Sequence, residues 1–220
     1  MVTIVDYGLG NLGSIRNMLK KVGCPSTISG DPRVIAAATK LILPGVGAFD
    51  HGMANLAKHG LLAALNESVH ARRTPVLGIC LGMQLLAERS EEGSKPGLGW
   101  IPGEVIRFRQ DSQGTDRLKI PHIGWNFVRS AVDHPLLSGL QNPRFYFVHS
   151  YHLCCRDQRD AIGWTHYAWD FTSIVARGHV WGTQFHPEKS HKFGMALLRN
   201  FVYSGEAADV SHTRHSVFAA

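Results

Sequence analysis

The sequence predicts an α/β fold: a mostly parallel central sheet flanked by helices, with a β-rich C-terminal half. Three observations carry this. Apolar runs at 2–6, 41–43 and 75–77 read as buried strands. Each gives way to a glycine-bearing turn and a helical pattern, and that alternation packs as parallel strands with helices on both faces. Beyond residue 103 the strands become short and the turns frequent. A chain of 220 residues is long enough for one sizeable core. We read 1–204 as a single domain and 205–220, polar and without periodicity, as a mobile tail.

Residues 2–6 are a β-branched first strand. Gly8-Leu9-Gly10-Asn11-Leu12-Gly13 follows, a literal G-x-G-x-x-G, with Asp31 about 20 residues on, as in a dinucleotide fingerprint. Asp6 and Tyr7 crowd the entry to that turn, and no second βαβ half is evident. A tight βα turn into a helix at 14–22 is the preferred reading. After 41–43 comes Pro44-Gly45-Val46-Gly47-Ala48-Phe49, a turn whose backbone N–H groups could donate to an oxyanion. The region 50–73 reads as helical, with Gly52 and Gly60 as weak points. The strand at 75–77 leads into helix-favouring residues 83–88. A loop at 90–102 precedes strands expected at 104–108, 145–150, 152–155, 162–167, 172–176 and 180–185, with a polar surface loop at 111–116. A helix at 189–203 closes the chain, with Phe193, Leu197, Leu198 and Phe201 as its core stripe.

Composition narrows the function. Hydrophobic content of 44% and charged content of 18% are those of a globular protein. No apolar run approaches the roughly 18 residues of a membrane span. The chain opens directly on a strand pattern, so no signal peptide is expected. Cys24, Cys80, Cys154 and Cys155 form no C-x-x-C, which points to free thiols in a reducing cytoplasm. The net charge of +6 is scattered, with Lys20-Lys21 and Arg72-Arg73 among its densest spots. That favours a solvated surface or an acidic protein partner over nucleic acid.

The chemistry concentrates at two places. Gly78-Ile79-Cys80-Leu81-Gly82, between a strand and a helix, has the form of a nucleophile elbow with cysteine as nucleophile. Glycines let neighbouring backbone approach, and the start of a helix favours thiolate. The second place is Gln184-Phe185-His186-Pro187-Glu188. In extended backbone His186 and Glu188 share a face, so the carboxylate can hold one imidazole nitrogen and leave the other for a nucleophile. A metal site of His186, Glu188 and His191 is disfavoured, because Pro187 opposes the helix such a motif needs.

These two motifs resemble those of the class I (triad) glutamine amidotransferases, a flavodoxin-like α/β family. Pro44 to Phe49, Pro121-His122-Ile123-Gly124-Trp125-Asn126 and Tyr146-Phe147-Val148-His149-Ser150-Tyr151 narrow the resemblance to the glutaminase subunits of imidazole glycerol phosphate synthase. It runs from about Ile4 to Phe201.

The resemblance implies that Cys80 attacks the carboxamide of L-glutamine, that His186 carries the proton, and that Glu188 orients His186. It implies an oxyanion hole from the backbone of Leu81 with Val46 or Gly47, and glutamine held by Gly47, Gln84, Ser150 and Tyr151. It implies no metal and no cofactor. It also implies a heterodimer with a (β/α)₈-barrel cyclase, which Trp125, Asn126, Tyr146 and Lys189 would face and into which ammonia would pass. Residues 149–152 and 187–195 also resemble a branch of the family that supplies ammonia for amidination of a surface-polysaccharide sugar. Two further readings stay open: a cysteine hydrolase or peptidase that needs no partner, and a non-catalytic scaffold that activates a barrel partner.

Overall fold

The computed structural model describes residues 1–109, 118–130 and 132–205. The polar loop expected at 111–116 and the tail from 206 onward lie outside the described residues. In chain order the first half comprises β1 (Val2–Val5), α1 (Leu12–Lys21), β2 (Ser26–Ser29), α2 (Pro32–Ala36), β3 (Lys40–Gly45), α3 (Phe49–Lys58), α4 (Leu61–Asn66), β4 (Val76–Cys80) and α5 (Leu81–Gln84). The second half comprises β5 (Arg89–Ser90), β6 (Gly103–Arg107), β7 (His122–Phe127), β8 (Arg144–His149), β9 (Tyr151–Cys155), β10 (Ala161–Tyr167), β11 (Trp169–Arg177), β12 (Val180–Thr183) and α6 (His191–Tyr203).

The central sheet has seven strands in the order β10-β11-β12-β4-β3-β1-β2. Its pairings are parallel except where β11 runs against both neighbours. Alternation along the strands sends side chains to two cores. Val5, Leu41 and Leu43 face α2 to α5, while Ile4, Ile42, Leu77 and Ile79 face α1 and α6. The expected stripe of α6 is largely buried: Leu197, Leu198 and Phe201 have no exposure and Phe193 packs against that core. A three-stranded sheet (β5-β6-β9) and a two-stranded ribbon (β7-β8) account for the β-rich second half.

Several boundaries differ from the sequence expectation, each for a local reason. β2 and α2 were not expected: β2 is a half-buried edge strand with one aliphatic side chain, and α2 has five residues. Asp31, the acid of the apparent dinucleotide fingerprint, caps α2, accepting from the Arg33 N–H at 2.8 Å with Pro32 at the first helical position. The helical region 50–73 is not continuous. It breaks at Gly60, which is left-handed (φ +67°), and ends in a π-helical turn, Glu67–Ala71. The helix expected at 83–88 is instead the single turn α5, starting directly after Cys80. β12 stops at Thr183, and Pro187–Lys189 form a 3₁₀ turn before α6.

The ribbon and β9 enclose three buried histidines, His122, His149 and His152. Their rings pack on Phe108 and Phe171. Burial lowers their pKa values, to about 4 for His122, about 3 for His149 and about 4 for His152. All three rings are therefore neutral at pH 7. The unfolded chain takes up these protons near pH 6.5, before the native state does, so stability falls as pH drops from about 6.5 towards 4. Urea unfolding at pH 7 and pH 5 is expected to differ by about 2 kcal/mol per ring, and His152→Leu is expected to weaken that dependence.

Candidate active site

Cys80 ends β4 with φ +54° and ψ −111°, a conformation that non-glycine residues adopt only under constraint. Close backbone contact supplies that constraint. A Cβ on Gly82 would overlap the carbonyl of Leu43, and one on Gly78 would lie 2.7 Å from the carbonyl of Gly82. The elbow is thus pressed onto β3, whose Gly45 is in register with Cys80. The root of the Pro44 turn is clamped, because the buried Tyr7 hydroxyl donates to the Pro44 carbonyl at 2.6 Å. Burial, then the nearby Cys80, raises the Tyr7 pKa, so the hydroxyl keeps its proton. Val46 and Gly47, just beyond, are exposed. The helix dipole expected to favour thiolate comes from one turn only, so local N–H groups matter more than a macrodipole.

His186 follows β12, the strand beside β4 in the sheet. Its Nδ1 is 2.8 Å from Glu188 Oε1, and both side chains are almost completely buried, at 1% and 2% exposure. The 3₁₀ turn, rather than extended backbone, folds Glu188 back onto the ring. The backbone of His186 is fixed as well. Its N–H donates to the Tyr146 carbonyl at 2.9 Å. Its carbonyl accepts from the Ser190 hydroxyl at 2.6 Å, and that hydroxyl accepts from the Tyr146 N–H at 3.0 Å. Burial alone would lower the His186 pKa. Its interactions with Cys80 and Glu188 outweigh that and raise it to about 10. Both neighbours thus favour the charged ring.

A cavity of about 300 Å³ is lined by Val46, Gly47, Cys80, Leu81, Gln84, Ser150, Tyr151 and His186. Every residue expected to bind glutamine or form the oxyanion hole is thus on one wall or another, with Glu188 behind His186. Wider hollows elsewhere, such as one of about 560 Å³ beside Arg16 and Lys20, are lined by no histidine–carboxylate pair. Gln84 is buried, and its Nε2 donates to the Tyr151 carbonyl at 3.0 Å and to Gln184 Oε1 at 3.1 Å. Gln184 Nε2 in turn lies 3.9 Å from Cys80 Sγ.

Three residues escaped the sequence reading. Gln184 stands in the motif that pointed to His186, and its glutamine identity was the available signal. His149 and Glu92 also line the cavity. Glu92 accepts from the Phe49 N–H at 2.8 Å. It arrives from a loop with no local pattern, so nothing in the sequence marked it.

A cysteine on a strained elbow and a buried histidine–carboxylate pair beside one cavity are an arrangement able to carry out nucleophilic acyl transfer. A family model described as "Glutamine amidotransferase class-I" matches residues 3–204. The chain belongs to the class-I glutamine amidotransferase family. It is similar to "Imidazole glycerol phosphate synthase subunit HisH 2" of Methanococcus maripaludis, 50% identical over 203 residues covering 92% of this chain and 98% of that one. The protein of the same name from Pseudomonas aeruginosa is 52% identical with the same coverage. The fold of this amidotransferase also matches a crystal structure of a glutamine amidotransferase at TM-score 0.71 and 19% identity, covering 92% of this chain and 97% of that one.

Near the amidotransferase cavity, β7 exposes a row of apolar side chains: Ile123 (59%), Trp125 (44%) and Phe127 (56%). Trp125 stacks on His191 at 5.5 Å and meets Tyr146 edge-on at 6.3 Å. Lys189 Nζ sits 5.5 Å from the centre of the Tyr146 ring. Three of the four residues expected at a partner face therefore cluster. The fourth, Asn126, does not join them: strand alternation turns its amide inward, to the His166 carbonyl at 2.9 Å. Ile123 and Phe127 take its place on the outer face.

The close approach at the elbow makes a sharp prediction. Gly82→Ala is expected to cost about 3 kcal/mol or more in urea unfolding, because the methyl must displace the Leu43 carbonyl that positions β3. Gly13→Ala, with open space at its Cβ, is the control expected to change little.

Proposed function

We propose that this chain is the glutaminase subunit of an imidazole glycerol phosphate synthase. In this reading it hydrolyses L-glutamine to L-glutamate and passes ammonia to a (β/α)₈-barrel cyclase subunit in a cytoplasmic heterodimer of histidine biosynthesis. One observation carries the reading: Cys80, His186 and Gln84 converge on one cavity in a chain half identical to proteins bearing that name. Residues 1–204 act as one domain.

In this reading the steps run as a thiol acyl transfer. With His186 protonated, Cys80 attacks as thiolate on the glutamine carboxamide carbon. The oxyanion is met by the N–H of Leu81 and by Val46 or Gly47 from the exposed turn. His186 gives its Nε2 proton to the departing ammonia, leaving a glutamyl thioester. It then takes a proton from the water that hydrolyses the thioester. Glu188 holds Nδ1 throughout and stabilises the imidazolium. Gln84, Ser150, Tyr151 and Gly47 hold the α-substituents of glutamine, and the Glu92 carboxylate receives its ammonium group. No metal or cofactor takes part in this scheme. Trp125, Tyr146 and Lys189, with Ile123 and Phe127, meet the cyclase, and Asn126 contributes from behind them.

A second reading has one observation in its favour. Both relatives named above carry the number 2, as befits second copies in their organisms. The same glutaminase chemistry would then supply ammonia to a paralogous synthase that amidinates a surface-polysaccharide sugar. Glutamate release is the decisive measurement, with and without the histidine-pathway cyclase of the same organism carrying its nucleotide ligand. At least a severalfold rise supports the first reading; no rise with folded protein transfers support to the second. Cys80→Ala is expected to lower release by roughly 10³-fold or more while leaving partner binding intact. Normal release by that variant would overturn both readings.

A further inference from the structure

A chain of hydrogen bonds runs from the docking strand to the cavity, and the reaction scheme leaves it unused. Asn126 Nδ2 lies 3.3 Å from His122 Nε2. His122 Nδ1 lies 3.1 Å from Nε2 of His149, its partner in the β7–β8 register. His149 Nδ1 lies 2.7 Å from the Tyr151 carbonyl oxygen. Gln84 donates to that same oxygen and onward to Gln184, which reaches Cys80.

The direction of every link is determined. A carbonyl only accepts, so His149 carries its proton on Nδ1. A neutral ring has a single N–H, so His149 Nε2 accepts and His122 Nδ1 donates. His122 Nε2 must then accept from the Asn126 amide. Reversing His122 would set its Nδ1 lone pair against that of His149 Nε2, and reversing His149 would break the link to Tyr151. The rings cannot easily swing away. His122 is stacked on Phe147 (4.8 Å) and Tyr167 (4.1 Å), and His149 packs against Phe108 (5.3 Å) and Phe171 (5.1 Å). Burial keeps both rings neutral at working pH. Phenylalanine would fill such an aromatic core without needing any partner. Two buried imidazoles that satisfy each other in one order only are the costlier choice.

We propose that His122 and His149 are positioning residues that tie the glutamine pocket to the docking strand. They hold the Tyr151 carbonyl, and through it Gln84, in register with β7, so a shift of β7 on partner docking is delivered to the glutamine-binding wall. The kinetic consequence rests on the glutaminase reading; the bond order does not.

The first arm is ¹⁵N-histidine NMR of the wild-type protein without glutamine. His122 and His149 are expected to be neutral with the proton on Nδ1, and an Nε2–H form of either ring overturns the relay. The second arm uses the cyclase complex. His122→Phe keeps the packing and removes the donor. It is expected to raise the KM for glutamine about tenfold, one hydrogen bond's worth, with kcat little changed. His149 should keep its Nδ1 proton on the Tyr151 carbonyl, while its Nε2 resonance shifts as the donor is lost. His122→Asn, whose Nδ2 stands where Nδ1 stood, is expected to recover most of that loss. Asn126→Ala should add nothing further in the His122→Phe background. An unchanged KM and an unchanged His149 Nε2 resonance in His122→Phe, or additive effects, would overturn the proposal. If His122→Phe does not fold, the wild-type tautomers and His122→Asn still decide. If the wild type releases no glutamate with any cyclase, the glutaminase reading falls, while the NMR arm still judges the relay.

Discussion

The structure depends on one close approach: the backbone of the turn after β4 pressed onto the backbone of β3. Nothing larger than glycine fits at 82, and the space above Gly78 is filled by Gly82 and Met83. That contact forces Cys80 to φ +54° and brings Leu81 beside the Pro44 turn. Three features of the proposed chemistry then follow from a single packing event. The sulfur leaves the sheet rim, an N–H stands next to it, and a second peptide turn faces both. Strain at Cys80 persists because the two strands on either side of β4 over-determine it.

The second constraint is electrostatic. Taking His186 and Glu188 out of water is expensive, and such a pair adds little net stability. What it adds is a fixed charge order. With Nδ1 committed to Glu188 and the backbone held by Ser190 and Tyr146, the remaining nitrogen has no freedom to turn. In the proposed mechanism the pair serves proton placement at a cost in stability. The three neutral histidines nearby show the opposite outcome of burial. Without a carboxylate bonded to them, their charged forms are suppressed.

Much of this was legible in the sequence, and the reason is locality. The elbow is five consecutive residues and the base motif another five, so residue type and spacing sufficed for Cys80, His186 and Glu188. Strand–helix alternation gave the parallel sheet. Regions failed where the signal was not local. β2 and β7 expose or half-expose most of their side chains, so periodicity had little to report. Glu92 reaches the cavity only through tertiary folding. The orientation of Asn126 depended on which face of β7 is buried, and only the position of His122 reveals that. The G-x-G-x-x-G at 8–13 answers to the preferred reading. Its glycines make a βα turn, and Asp31 finds its use as a helix cap.

The cavity is assembled from both halves of the chain, and this decides how it can be regulated. Its floor, Cys80 and Leu81, belongs to the rigid parallel sheet. His186 follows the neighbouring strand. The far wall, His149 to Tyr151, is the junction of β8 and β9, and among the described residues β8 pairs with β7 alone. The outward face of β7 is the apolar row of Ile123, Trp125 and Phe127. Tyr146, opposite Trp125 on that ribbon, also bonds directly to the His186 backbone. A molecule that settles on the ribbon thus touches the element that forms one wall of the cavity and anchors its base, while the nucleophile stays fixed in the sheet. Division of the site between a rigid floor and a two-stranded wall makes docking and substrate binding properties of the same ribbon.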